Sequence, residues 1–577
     1  MSEKILRINM TNLSCAVEAV PAEWQGLGGR GLTSAIVSKE VPPTCHPLGK
    51  HNKLVFAPGL LAGSPAAQSG RLSAGAKSPL TGTIKESNAG GTAAQNLAKL
   101  RIKALIIEGA PVDDSKFYGI RINKDGTRIV EEKELVGKRN YEVIKTLMAS
   151  IGQKVGVLTI GPVGEMRMVA ANISVRDPDG NIRSHGRGGL GAVMGSKKVK
   201  YITIDDSGGP GVEIVEPERF KAAARAFAKA ILEHPVSGEG LPTYGTNVLV
   251  NVLNEAGGLP TRNFRYGQFE GHDKISGETM RETIIARGGK PKHGCHAGCI
   301  IQCSQVYCDE EGEYVTSGFE YETIWGIGAN CCIEDLDVIA RADRIMDDIG
   351  IDSIESAVIM GVAMEAGIIP FGDGPGVLRL LEEIGQGTPL GRVLGNGAAF
   401  VGKAYGLTRV PVVKGQGIPA YDPRSVKGIG VTYATSTQGA DHTMGYAVAT
   451  NILQVGGFVD PLKNKGQVEL SRNLQIATAA IDTTGLCLFV AFPALDIPET
   501  LTAIVDMLNA KYWIKLTGND VTALGKSVLK TEHAFNLAAG FTKADDRLPE
   551  FFDEEPCPPH NVTWTMKGEE IDEFWNF

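Results

Sequence analysis

The sequence predicts an α+β protein: a β-sheet-rich N-terminal domain over residues 1–208, then two mainly α-helical domains over 209–408 and 409–577. Three observations predict it. Up to about residue 205 the apolar residues fall in short β-branched runs bounded by Gly, Pro or Asp, which is the pattern of strands. After the turn-rich SGGPG at 207–211 the pattern changes to longer amphipathic segments, which is the pattern of helices. A Pro- and Gly-rich stretch over 409–424 then divides the helical part in two.

The elements follow in order. KLVFAP (53–58), ALIIEG (104–109), KVGVLTIG (154–161) and YITID (201–205) predict strands. The Ala-rich ERFKAAARAFAKAILE (218–233) predicts a helix with Pro217 at its first position. Helical periodicity returns over 334–347, 353–366, 375–384, 469–482 and 499–512. The last 33 residues hold ten Asp/Glu against two Lys/Arg and predict a solvated acidic tail.

Composition narrows the class. A net charge of −8 argues against a nucleic-acid binder, which carries a basic footprint. Ten cysteines in 577 residues are too few for a disulfide scaffold, and their crowding between 295 and 332 points to metal binding in a reducing compartment. MSEKILRINM lacks the apolar core of a signal peptide, and the longest apolar run, 485–495, is 11 residues, short of the ~18 that a membrane span needs. The expectation is a cytoplasmic protein with no membrane span. Glycine is in excess, 72 residues, which is close to twice the usual share of about 7%.

Part of that excess lies in loops suited to anions. Gly26–Gly31 and Gly186–Gly191 both match G-x-G-x-x-G, but neither has the preceding strand and following acidic residue of a dinucleotide site. Each combines flexible backbone with one arginine, Arg30 or Arg187 (beside Gly188), and the second runs into a short helix. Backbone amides, a helix N-terminus and a guanidinium make an anion site. A third loop system offers Arg71, Lys77, the hydroxyls of Ser78, Thr81 and Ser87, Asn88 and Gly90 among small residues. Three such loops in one domain predict a large ligand with several phosphates.

Two further signals stand out. Asp347-x-x-Gly350-Ile351-Asp352 and Asp482-x-x-Gly485-Leu486-Cys487 each close a predicted helix, with the Gly as C-cap. An Asp at the negative end of a helix is electrostatically unfavourable. Two of them invite a ligand edge that donates paired hydrogen bonds, and a motif present twice suggests a ligand moiety present twice. Cys295-x3-Cys299-x3-Cys303 keeps three thiols on one face of a turn or helix, as an iron–sulfur cluster requires, with zinc the lesser fit. Cys487 is the best fourth ligand and Cys308 the runner-up.

These residues resemble the aldehyde:ferredoxin oxidoreductase family of tungstopterin enzymes. The resemblance spans the chain: GGRG, KSPLTG-x4-SNAGG, GRGGLGAVMGSKK, the Cys triplet, FEYET, the paired D-x-x-G motifs and GADH. Many members carry C-x2-C-x3-C where this chain has a first gap of three, and the bacterial multi-subunit branch is the more natural home for that variant. The resemblance implies a bis-pyranopterin holding tungsten or molybdenum, a [4Fe–4S] cluster, and a Mg2+ bridging the pterin phosphates. Asp347 and Asp482 would each bond one pterin. Asn88 matches one magnesium position and the other lies near Arg187 and Gly188, while Arg71 would lie between cluster and pterin.

By the same resemblance Glu320 is the active-site carboxylate, with Glu322 the alternative by register; His442 is the active-site histidine, and Tyr421 matches a tyrosine of some members. The implied activity is oxidation of aldehydes to carboxylic acids. With a single cysteine quartet and no flavin or nicotinamide fingerprint, electrons would leave to a ferredoxin or iron–sulfur subunit, with a flavin subunit as a further partner in a homo- or hetero-oligomer. The alternatives are a tungsten benzoyl-CoA reductase-type catalytic subunit and a non-catalytic iron–sulfur electron-transfer subunit.

Overall fold

Two six-stranded sheets lie within the first 204 residues of the computed structural model, which describes residues 2–577. Strands β1 (Lys4–Asn9), β2 (Ser14–Ala19), β3 (Leu54–Pro58), β4 (Leu72–Lys77), β5 (Ile84–Ala89) and β6 (Ile102–Glu108) form the first, in the order β2-β1-β6-β3-β4-β5. Strands β7 (Phe117–Asn123), β8 (Gly126–Glu132), β9 (Gly156–Thr159), β10 (Ile173–Arg176), β11 (Ile182–His185) and β12 (Val199–Ile204) form the second, in the order β11-β10-β9-β12-β7-β8. Each sheet contains one parallel pair, β1 with β6 and β7 with β12.

The apolar runs reflect burial on both faces. Along β3 and β6, Leu54, Phe56, Leu105 and Ile107 enter a core shared with Ile120, Leu158 and Ile202 of the second sheet. The alternate residues Val55, Ala57, Ala104 and Ile106 pack under helix α1 (Gly29–Glu40), against Leu32, Ile36 and Val37.

Helix α2 (Leu190–Ser196) ends the second glycine loop, and helix α3 (Pro217–Glu233) starts on the proline expected there. A small three-stranded sheet follows, β13 (Lys290–His293), β14 (Ser304–Cys308) and β15 (Tyr314–Ser317). Helices α4 (Tyr321–Ile327), α5 (Leu336–Ile349), α6 (Ser353–Glu365), α7 (Gln467–Thr484), α8 (Pro498–Tyr512) and α9 (Gly518–Ala538) surround the site described below. Asp335 caps α5 by accepting from the amides of Asp337 and Val338. Gly350 and Gly485 close α5 and α7 in the left-handed conformation, at φ 79° in both.

Two expectations change. The first glycine segment is not an open loop: α1 begins at Gly29, and Arg30 lies in its first turn, fully buried. The acidic C-terminus is not a solvated tail, because Phe551, Phe552, Trp564, Met566, Ile571 and Phe574 are buried among the helices. Apolar residues set between the charges anchor it, which a charge count does not register. No helix among the described residues is long and apolar enough to cross a membrane.

Candidate active site

Each Asp motif is fastened to a different sheet. Beyond α5, the Asn172 amide donates to the Gly350 carbonyl (3.0 Å), the Asn172 side chain to the Ile351 carbonyl (2.9 Å), and the Asp352 amide to the Ala170 carbonyl (3.0 Å). Beyond α7, the amides of Leu60 and Leu61, between β3 and β4, donate to the carbonyls of Thr483 (3.2 Å) and Thr484 (2.9 Å), and the Arg71 amide to Gly485 (3.1 Å). Glycine permits both approaches. A Cβ on Gly161 would lie 2.1 Å from the Ile349 oxygen, and one on Gly59 would lie 2.1 Å from the Gly485 Cα.

Asp347 and Asp482 thereby reach one cavity of about 810 Å³. Burial and neighbouring Asp343 push the Asp347 carboxyl well above the usual range. Burial pushes Asp482 up to about 6 even with Arg30 beside it. Asn88 donates to Asp482 Oδ1 (3.2 Å) and Arg30 Nη1 to Oδ2 (3.4 Å).

The same cavity is lined by Arg71, Asn88, Gly90 and Arg187, by Cys295, Cys303 and Cys487, and by Glu320, Glu322, Tyr421 and His442. Other residues singled out from the sequence lie behind its wall. Arg30 spends Nε and Nη2 on Glu532 (2.8 Å each), so it steadies Asp482 instead of facing the cavity. Lys77 donates to the carbonyls of Pro43 and Cys45. Asp352 caps α6 and pairs with Arg187 Nε (3.3 Å), whose remaining nitrogens donate to the carbonyls of Ala440 (2.7 Å) and Gly417 (2.6 Å). The Gly188 carbonyl accepts from Ser78 (2.7 Å), and Leu486 is buried in the second Asp turn.

The cysteine triplet is the connection between β13 and β14, so strand pairing of His293 with Ser304 fixes both of its ends. It is a series of turns, not a helix. Cys487 Sγ accepts from Arg71 Nη2 (3.4 Å), and the part-buried Arg71 guanidinium feels the thiols of Cys487, Cys295 and Cys303 together. Cys299 lies next to Cys295, and a ring nitrogen of His296 is within 4.8 Å of both thiols. Cys308 lies at the far end of β14, beside Asp309 and Glu313. Arg71 Nε is buried with no protein partner. Four convergent thiols with a cation beside them are the donor set an iron–sulfur cluster takes.

Glu320 and Glu322 diverge because residues two apart on a helix do not share a face. Glu320, at the N-cap of α4, accepts from Thr246 Oγ1 (2.7 Å) and lies near enough to Cys303 and Arg183 to act on both electrostatically. Burial raises it to about 7. Glu322, in the first turn, accepts the Ala420 amide on Oε2 (3.1 Å), while Oε1 sits 3.4 Å from His442 Nε2. Burial raises Glu322 to about 8 and lowers His442 to about 4. Glu322 Oε1 and His442 Nδ1 are both buried without a hydrogen-bond partner. The Tyr421 ring is 5.7 Å from that of His442, and its hydroxyl meets Tyr446 (3.1 Å). Of the two glutamates, it is Glu322 that the fold brings to the histidine.

A family model described as aldehyde ferredoxin oxidoreductase, N-terminal domain, matches residues 5–206, and one described as aldehyde ferredoxin oxidoreductase, domains 2 and 3, matches 222–575. The chain belongs to the aldehyde ferredoxin oxidoreductase family. It is 35% identical to the tungsten-containing aldehyde ferredoxin oxidoreductase of Pyrococcus furiosus and 36% identical to that of Thermococcus kodakarensis, over 96% of this chain and 92% of each relative. Among solved structures, the active-site complex of benzoyl coenzyme A reductase with 1,5-dienoyl-CoA shares the fold, with a TM-score of 0.81 at 19% identity, covering 99% of this chain and 92% of that one.

Within this aldehyde ferredoxin oxidoreductase fold, three cavity residues escaped the sequence reading. Lys85, buried, pairs with Asp441 (3.2 Å), and Asp441 is held well below the usual range by Lys85 and Arg187 against its burial. Tyr446 closes on Tyr421. Lys85 lies in the gap of KSPLTG-x4-SNAGG, and Asp441 is the acidic residue of GADH. A buried pair from segments 356 residues apart leaves no local signature.

Proposed function

We propose that the chain oxidises aldehydes to carboxylic acids at a bis-pyranopterin tungsten centre and hands the electrons through a [4Fe–4S] cluster to a ferredoxin or iron–sulfur partner. The observation that carries this reading is the Glu322–His442 pair, set with Tyr421 in the cavity that also receives both Asp motifs and three of the four clustered thiols.

Oxidation of an aldehyde to an acid takes up one water and releases two protons and two electrons. When bound, the tungsten–pterin centre supplies the two-electron acceptor and the cluster the one-electron exit. The chain's own residues handle the protons. His442 is neutral at physiological pH, so its ring N–H can donate to the aldehyde oxygen. Glu322, once ionised, is a base matched to neutral pH, and its Oε1, which has no hydrogen-bond partner, can take a proton from water. Tyr421 and Tyr446 hold the aldehyde beside the imidazole. Asp347 and Asp482 would each hold one pterin, Asn88 and the Arg187–Gly188 turn would hold the magnesium, and Cys295, Cys299, Cys303 and Cys487 would hold the cluster. Arg71, bonded to Cys487 and lining the cavity, would lie between the cluster and the pterins.

The test is elemental analysis with a viologen assay. Stoichiometric tungsten with about four iron per chain, and viologen reduction by aldehydes, is the expected result. Iron without tungsten or molybdenum would return the chain to an electron carrier. Activity with aromatic thioesters and none with aldehydes would favour the benzoyl-CoA reductase reading, which the shared fold also accommodates.

A further inference from the structure

We propose that His296 donates a hydrogen bond to the Cys295 thiolate and thereby raises the reduction potential of the iron–sulfur cluster. The inference rests on the reading that Cys295, Cys299, Cys303 and Cys487 hold a cluster. Its own evidence is separate.

His296 Nδ1 lies 3.3 Å from Cys295 Sγ, within hydrogen-bond range for sulfur. The ring is 3% exposed, and its Nε2 has no hydrogen-bond partner. That asymmetry sets the direction of the bond. A neutral imidazole carries one N–H; on Nδ1 it meets sulfur, whereas on Nε2 it would be a buried donor left unsatisfied, which costs about 1–3 kcal/mol. The seat is also rigid. A Cβ on Gly70 would fall 2.4 Å from His296 Cδ2, so the ring lies against bare backbone on one side and Cys295 on the other. The Cys299 amide donates to the His296 carbonyl (3.2 Å) and closes the turn beneath it.

A donor aimed at a ligating thiolate withdraws electron density from the cluster and favours its reduced, more negative state, so the potential rises. Arg71 does this at Cys487, the Gln302 amide at Cys299 (3.4 Å) and His296 at Cys295, so three of the four ligands accept a hydrogen bond.

The test is an EPR-monitored redox titration of the loaded full-length enzyme, with iron counted per chain. His296→Leu removes the donor; His296→Asn keeps an N–H near the position of Nδ1. The expected result is full iron in both variants, a more negative midpoint for His296→Leu, and a midpoint between it and wild type for His296→Asn. An unchanged midpoint in His296→Leu overturns the proposal. Loss of iron from both variants overturns it too, since His296 would then be a ligand and not a donor. A wild-type protein with no four-iron cluster would instead defeat the functional reading on which the proposal stands.

Discussion

Glu322 Oε1 lies 3.4 Å from His442 Nε2, and the two groups are displaced in opposite directions: the carboxyl up to about 8, the imidazole down to about 4. Burial is the first cause of both shifts, since it disfavours whichever form is charged. The result at neutral pH is a largely protonated acid beside an uncharged base, so a proton can be held or moved with little change in local charge.

This pairing sets the first prediction. Glu322→Gln and His442→Ala should each lower aldehyde turnover by about 10²–10⁴-fold, the usual span for a lost acid–base group, with tungsten and iron content retained. Glu320→Gln should cost less, because Glu320 is bonded to Thr246 and faces the thiols. Steady-state kinetics with metal analysis checks it; equal losses at Glu320 and Glu322 would contradict the assignment.

The second prediction concerns pH. In the proposed reaction the base is Glu322 in its ionised form, and its folded-state value is about 8. kcat/KM should therefore climb as pH rises through that value, with no limb from His442, which is already neutral above about 4. Stability carries the opposite sign. The folded value lies above the ordinary 4.5, so the folded chain binds more protons than the unfolded one across that interval. The contribution is present below 4.5 and is lost as pH rises toward about 8. Cofactor-free Glu322→Gln should gain Tm relative to wild type over that window. A flat rate profile, or a constant Tm difference, would refute it.

Arg30 supplies the third. Its guanidinium is fully buried between Glu532 and Asp482, and Glu532 also accepts from Ser34 (2.8 Å) and Thr437 (2.5 Å). Arg30→Met leaves two buried carboxyls uncompensated and should cost about 3–5 kcal/mol in denaturant unfolding. A loss under about 1 kcal/mol would mean that the pair can be relieved by water.

The fourth tests how the Asp loops are held. Gly59→Ala and Gly161→Ala each drive a methyl into the backbone of a D-x-x-G turn. Each should destabilise by about 1–3 kcal/mol and lower pterin and tungsten content. Gly26→Ala, where a Cβ meets nothing within 4 Å, is the control and should be neutral. Full tungsten loading in both variants would show that the turns are not seated by these contacts.

Much of the fold was legible in the chain because its signals are local. Period-3.6 burial and Gly caps located α5, α6, α7 and α8 to within a few residues, and β-branched runs located β3, β6, β9 and β12. The C-terminal segment was misread because charge density is visible in a linear sequence and the burial of Phe552 and Trp564 is not.

The candidate site divides in the same way. Residue types and spacing give the chemistry available: two Asp turns, a cysteine triplet with Cys487 or Cys308 to complete it, two glutamates at the start of one helix, and a histidine in GADH. Which of those groups meet was decided only by the tertiary structure. Helix geometry points Glu320 toward the thiols and Glu322 toward His442, although they are two residues apart. Packing of α9 on α1 turns Arg30 away from the cavity to Glu532, and β5 brings Lys85 to Asp441. The physical reason is that burial and charge pairing act between segments hundreds of residues apart. Residue type states what a side chain can do, and its neighbours in space set the protonation state and the partner with which it does so.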